Sequence, residues 1–274
     1  MSSELWAILT LVAYAVVALV MVVYQARLSP SGWKVWVIHA ITRFFTTVMC
    51  GQRIQQRCPF PSSGNGLVIA NHRSPVDPFL LCSASQEKLD GHCVRSLEFM
   101  TATEYVEMGG IVGLVCGIMG CIPVDRDGRD MGPAKVALRR IKAGSLVGVF
   151  PEGRINTGEG LLPASPGIAW LAVRSRAPVY PAFIHDAPQG TSMVNSFLKR
   201  SKSYVTYGEP IDLSDYYHRK PTPAMLDEVT DLLMSRLGEL GGVKPSPRQR
   251  ETWSNGASNH NGSPTSDLEP VGAE

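Results

Sequence analysis

Hydrophobic and polar positions follow three rhythms along this chain. Residues 5–24, LWAILTLVAYAVVALVMVVY, run for twenty positions without a charge. At the rise of an α-helix the run is about 30 Å long, one bilayer core. Trp6 and Tyr24 stand at its ends, where interfacial aromatics collect. The second rhythm is helical. Apolar residues recur at 33, 37, 40, 41, 44 and 48, and His39, Thr42, Arg43 and Thr46 gather on one side. The third begins after Gly51, where short apolar runs alternate with helical segments. Strands are predicted at 67–70, 97–102, 122–124, 146–150, 179–184 and 203–207. Helices are predicted just after His72 and at 132–142, 168–176 and 223–237, with a glycine-rich helix or loop at 103–117. Such alternation predicts an α/β fold: a single mixed, largely parallel sheet flanked by helices, behind an N-terminal membrane helix.

Four regions follow from these rhythms. Residues 1–27 hold the transmembrane or anchor helix, and 28–57 an amphipathic region suited to a membrane surface or to packing on the domain. Residues 58–243 form the α/β domain, and 244–274, rich in Ser, Asn, Gly and Pro, read as a disordered tail. A cleaved signal peptide fits the first run poorly, because no basic segment precedes it and it is too long. Arg27, Lys34, Arg43, Arg53 and Arg57 follow the run, whereas residues 1–4 carry no Lys or Arg. The positive-inside rule then places the α/β domain in the cytoplasm, on a cell membrane.

Composition narrows the chemistry. The chain has 274 residues, 44% hydrophobic and 18% charged, enough for one sizeable core. A net charge of +2 implies no nucleic-acid partner. The six cysteines form no Cys-x-x-Cys pair and no small disulfide framework, so reduced thiols are expected, with no metal site.

The centre of the chain is 66–79, GLVIANHRSPVDPF. An apolar strand ends at Asn71-His72, which puts a histidine on a rigid yet reachable turn. Asp77 follows five residues later, off the same helical face, so the two side chains meet only if the chain bends, as Pro75 favours. A carboxylate accepting the Nδ1–H would fix the tautomer and leave Nε2 free to take a proton. Ser74, Pro75 and Asp77 also suit N-cap, N1 and N3 of a helix, and capping remains an alternative. Three further strand ends carry candidate chemistry. Asp125-Arg126 closes the strand at 122–124, where a guanidinium could clamp a phosphate or simply face water. Phe150-Pro151-Glu152-Gly153-Arg154 is a strand running into a turn whose glycine permits close ligand approach and whose arginine suits an anion. Pro178-Val179-Tyr180-Pro181 is a strand flanked by prolines, suited to a pocket wall.

Together these stretches resemble the glycerolipid acyltransferases typified by the 1-acylglycerol-3-phosphate acyltransferases. The family's Asn-His-x-x-x-x-Asp stands here as Asn71 to Asp77. Its second motif stands as Gly120 to Asp125-Arg126, its Phe-Pro-Glu-Gly motif as Phe150 to Arg154, and its proline-closed strand as Pro178 to Pro181. The likeness covers about 66–184. Two positions depart from the pattern: Pro123 replaces a frequent aromatic, and Ile155-Asn156 follow Arg154 where a second basic residue is common. These departures bear on acceptor specificity more than on the reaction.

The resemblance implies transfer of a fatty acyl group from a thioester, on coenzyme A or acyl carrier protein, to a glycerol-phosphate lipid. His72 would be the general base, supported by Asp77. Asn71, Arg126, Glu152, Gly153 and Arg154 would form the acceptor site. No cofactor or metal is needed, and the partners are membrane lipids, a lysophospholipid and the acyl thioester. Lysophosphatidic acid is the expected acceptor. Glycerol 3-phosphate, another lysophospholipid or a lyso-ornithine-type lipid are alternatives. A histidine-dyad lipid hydrolase is a rival, yet no Gly-x-Ser-x-Gly elbow occurs. A non-catalytic lipid-binding protein is another, and the His72/Asp77 pair speaks against it. Neither nucleotide-phosphate pattern, Gly-x-Gly-x-x-Gly or P-loop, is found.

Overall fold

A computed structural model describes residues 2–56, 58–61, 63–84, 94–125 and 131–247. The elements run α1 (Ser3–Leu28), α2 (Trp33–Val48), β1 (Gly66–Ala70), α3 (Asp77–Ala84), β2 (Leu97–Ala102), α4 (Thr103–Val106), α5 (Gly110–Met119) and β3 (Ile122–Val124). They continue with α6 (Gly132–Lys142), β4 (Leu146–Val149), α7 (Gly167–Ser175), β5 (Val179–His185), α8 (Met193–Leu198), β6 (Tyr204–Tyr207) and α9 (Pro223–Gly241). The six strands lie in the order β3-β2-β4-β1-β5-β6. All neighbours are parallel except β6, which runs antiparallel to β5.

β1 sits inside the sheet, buried along its whole length. Its alternate residues feed two cores. Leu67 and Ile69 join α6, α7 and α9 on one face, and Val68 and Ala70 join α2, α3 and α5 on the other. Burial on both faces explains why β1 reads as an unbroken apolar run. Gly148 of β4 has a packing reason to lack a side chain: a Cβ there would lie 2.6 Å from the Phe99 ring.

The expected segments are present, with differences at their ends. The stretch 103–117 is two helices, broken at Gly109 and Gly110, both at positive φ. α8 was not expected; it is one short turn-and-a-half without apolar period, started by Ser192, whose Oγ accepts the Asn195 N–H (3.4 Å). α9 runs four residues past the expected end, to a glycine cap at Gly242.

Two expected boundaries are crossed by hydrogen bonds. Gln52 donates to the Leu80 carbonyl (2.7 Å), and Gln56 exchanges two bonds with the backbone of Tyr207 (both 3.0 Å). The segment before residue 58 is thus stitched to the α/β unit. At the other end, the Leu161 N–H donates to the Lys244 carbonyl and the Ser246 N–H to the Leu161 carbonyl (3.4 and 2.9 Å). The remainder of the expected tail, 248–274, lies outside the described residues.

α1 has the length to cross a membrane, and among its residues only Ala26 is buried. α2 turns its polar side inward. Thr42 and Thr46 are buried, and the Thr46 hydroxyl donates to Ser83 Oγ (2.8 Å). Trp33, Val37, Ile41, Phe44 and Val48 form a stripe facing outward, with Phe44 72% exposed. Met108, Ile111 and Leu114, at and beside the start of α5, are also exposed.

Candidate active site

Parallel strands send their carboxyl ends, and the turns that follow, to one edge of the sheet. β1 and β4 are neighbours, so the turn after Ala70 and the turn after Val149 lie side by side. β3 stands three strand spacings from β1, about 14 Å.

The first turn bends back on itself. The Asp77 carboxylate is buried, and its Oδ2 accepts the N–H groups of Arg73 (2.5 Å) and Ser74 (2.7 Å). The same oxygen lies 2.9 Å from His72 Nδ1. One oxygen of Asp77 therefore both holds the backbone of the turn that leads into α3 and orients His72. Burial holds the Asp77 carboxyl above the usual carboxylate range, against the pull of the His72 bond and the two N–H groups. With Nδ1 carrying the proton toward Asp77, Nε2 is the basic atom. The His72 side chain is 17% exposed, and Nε2 has no hydrogen-bond partner among the described residues. The imidazole stacks on Phe150 (centroids 4.2 Å, 14°), which stacks in turn on Phe99 (5.4 Å, 6°).

The second turn grips the backbone of the first. Glu152 is 6% exposed, and its Oε1 accepts the His72 N–H (2.9 Å). Its Oε2 accepts from Asn156 Nδ2 and the Leu162 N–H (both 2.9 Å). The Asn156 N–H donates to the His72 carbonyl (2.7 Å). Both backbone groups of His72 are therefore held by the 152–156 turn. Burial raises the Glu152 carboxyl, opposed by these donors and by His72.

The expected acceptor ligands separate into two groups. Asn71 is 1% exposed, and its amide both accepts the Ile184 N–H (2.7 Å) and donates to the Ile184 carbonyl (3.0 Å). It ties the end of β1 to β5. Glu152 is likewise engaged within the protein. Gly153, at φ +68°, and Arg154 are exposed at the tip of the turn. Asp125 is exposed and accepts the Thr103 hydroxyl (2.8 Å). Arg126 lies outside the described residues. Pro178 is exposed just before β5, and Val179-Tyr180-Pro181 opens that interior strand at buried positions. Asn156, Leu162 and the stacking role of Phe150 were not foreseen. Their only trace in the sequence is proximity to Glu152, since the contacts depend on β4 lying beside β1. Among the described residues no cluster of three His, Cys, Asp or Glu side chains could hold a metal.

Comparison with known proteins places this geometry in context. Residues 52–185 match the family described as Acyltransferase. A 1-acyl-sn-glycerol-3-phosphate acyltransferase of Bacillus subtilis is 33% identical over 118 residues, covering 43% of this chain and 56% of that protein. A mouse 1-acyl-sn-glycerol-3-phosphate acyltransferase alpha is 32% identical over 192 residues, 66% of this chain and 61% of that protein. The chain thus spans little more than half the length of these relatives. The crystal structure of the 1-acyl-sn-glycerophosphate acyltransferase PlsC from Thermotoga maritima superposes with a TM-score of 0.57 at 19% identity. It covers 81% of this chain and 87% of its own, and shares the fold.

Proposed function

Because the chain belongs to the glycerolipid acyltransferase family, we propose that it transfers a fatty acyl group from a thioester to the free hydroxyl of 1-acylglycerol 3-phosphate, giving phosphatidic acid. The observation that carries this reading is the 2.9 Å contact between His72 Nδ1 and the buried Asp77 carboxylate. Nε2 takes the acceptor's hydroxyl proton as its oxygen attacks the thioester carbonyl. The carbonyl oxygen gains charge, the C–S bond then breaks, and the thiol leaves with a proton. Asp77 supports the imidazolium formed on the way, and general-base catalysis of this kind is worth about 10²–10⁴ in rate. The acyl donor is coenzyme A or acyl carrier protein, and no acyl-enzyme or metal takes part.

Arg126 and Arg154, with Gly153 giving the turn its shape, hold the acceptor phosphate in this reading. Glu152 and Asn71 act from within the protein, by fixing the backbone on which His72 stands. The outward stripe of α2 and the exposed start of α5 lie against lipid beside α1, so acceptor and product need not leave the membrane. The α/β domain faces the cytoplasm.

The test is acyl transfer by the purified, detergent-solubilised chain. Labelled oleoyl- and palmitoyl-thioesters are offered with lysophosphatidic acid, other lysophospholipids, glycerol 3-phosphate, a lyso-ornithine lipid and phosphate-free monoacylglycerol. The expected result is phosphatidic acid from lysophosphatidic acid, poor use of monoacylglycerol, and loss of transfer in His72→Ala by about 10²–10⁴. Full transfer by His72→Ala would remove the mechanism. Good use of monoacylglycerol would remove the phosphate site. Free fatty acid without transfer would make the protein a hydrolase.

A further inference from the structure

The way α5 ends brings two cysteine side chains together. The helix stops at Gly120, whose φ of +70° is left-handed. The Gly120 N–H donates to the Gly117 carbonyl (3.3 Å), and the Cys121 N–H to the Cys116 carbonyl (2.9 Å). This pair of bonds is the Schellman arrangement, in which the residue after the glycine folds back onto the residue five positions before it. Two apolar side chains commonly meet there. Here both are thiols, near enough for each to shift the other's hold on its proton. The 2.9 Å bond between the carbonyl of one and the amide of the other keeps their Cα atoms within about 7 Å, the reach a disulfide allows.

The two sulfurs are not equivalent. Cys116 is buried and Cys121 half-buried. Hydrogen bonds from the Cys116 thiol first, then from the Thr101 side chain and the Phe99 backbone, pull the Cys121 thiol down to about 7 despite its partial burial. The same contact pushes the Cys116 thiol up, so the proton stays on Cys116. A thiolate is the form that attacks an oxidant. Cys82 is a third thiol in this region, but burial pushes it up to about 12. The helix that carries Cys116 exposes Ile111 and Leu114, so the pair stands next to an apolar surface.

We propose that Cys116 and Cys121 are a dithiol modification site that takes a hydroperoxide as its oxidant and closes to a disulfide. The Cys121 thiolate attacks the terminal peroxide oxygen. The O–O bond breaks, leaving a Cys121 sulfenic acid and an alcohol that takes up a proton. Cys116 then attacks the Cys121 sulfur, the S–S bond forms, and the hydroxyl leaves as water with the proton from Cys116. Two thiols are oxidised by two electrons while the peroxide is reduced to alcohol and water. A dithiol reductant reverses the closure, as at other reversible cysteine sites in reducing compartments. Neither cysteine belongs to the acyl-transfer machinery, and the proposal stands apart from it.

Tryptic cleavage leaves both residues in one peptide, 96–126, with no other cysteine. The purified full chain is treated with hydrogen peroxide or cumene hydroperoxide, alkylated with iodoacetamide, digested and weighed. The expected peptide carries no alkyl group and has lost two hydrogens, and dithiothreitol restores two alkylated cysteines. Closure by either reagent supports the site, and the faster reagent assigns an aqueous or a lipid-soluble source. In Cys116→Ser, dimedone should capture a sulfenic acid on Cys121. In Cys121→Ser, Cys116 should stay fully alkylatable. A wild-type peptide that keeps both alkyl groups would overturn the proposal. So would a dimedone adduct on the wild-type chain, or a cross-link to the Cys82 peptide 74–88.

Discussion

At the scale of residues, two buried carboxylates serve one histidine at a cost to the fold. Asp77 is held above the usual carboxylate range by burial. An acid raised in the native state binds more protons there than in the unfolded chain. Stability therefore falls as pH rises from the unfolded value through the native one, and above that window the charge is a net penalty. Asp77→Asn keeps an oxygen for the Arg73 and Ser74 N–H groups. Its new NH₂ takes the place of Oδ1, which has no partner among the described residues. The variant should lose transfer by about a hundredfold or more while its Tm at pH 7 holds or rises. Its advantage should shrink toward acid pH. Thermal scans across pH measure this, and a Tm several degrees lower at pH 7 would show that the charge stabilises the fold.

Glu152 is raised by burial as well, but it differs in how fully its oxygens are hydrogen-bonded. Its two oxygens accept three protein donors, on both sides of the carboxylate. Glu152→Gln must turn an NH₂ toward a donor, either the His72 N–H or the pair from Asn156 and Leu162. That should cost about 1–3 kcal/mol in stability and lower kcat through displacement of His72. The KM for the acceptor should change little. A large rise in KM with unchanged kcat would return Glu152 to the role of a substrate ligand.

At the scale of elements, α2 is the informative one. Its apolar period alone suits either a membrane surface or the domain core. Hydrogen bonding and burial separate the two: Thr42 and Thr46 pack inward, and the stripe from Trp33 to Val48 faces out. A row of large apolar side chains left in water is costly, about 1.5–3 kcal/mol for each that would otherwise be buried. Ile41→Asp with Phe44→Asp should therefore reduce partition into liposomes at least tenfold without lowering the Tm of the α/β unit. Sedimentation with vesicles and a thermal melt read the two quantities. A fall in Tm with unchanged partition would place the stripe in a protein interface instead.

At the scale of the whole molecule, α1 stands apart from the sheet and its two cores, with one buried residue. A chain beginning at Ser29 should melt with the full-length protein and keep part of its vesicle binding through α2 and α5. Reporter fusions after residue 247 should be protected from external protease in intact cells, as the basic residues after α1 require. Cleavage from outside would reverse the orientation.

What the sequence determined by itself is what depends on near neighbours along the chain. The α/β class, the strands, the apolar run of α1 and the Asn71–Asp77 and Phe150–Arg154 turns were all legible. Side-chain period and turn residues specify these within about ten positions. The bend that joins His72 to Asp77 was legible only as a possibility, through Pro75. The tertiary structure alone decided which turns are neighbours. By laying β4 beside β1 it gave Glu152 and Asn156 to the His72 backbone, although 80 residues separate Glu152 from His72. By laying β5 on the other side of β1 it gave Asn71 to Ile184, 113 residues away. The outward turn of α2 was settled in the same way, by the packing of Thr46 against Ser83. Each of these is a pairing of groups distant in the chain, and a polar side chain does not announce in its own neighbourhood which distant donor will reach it.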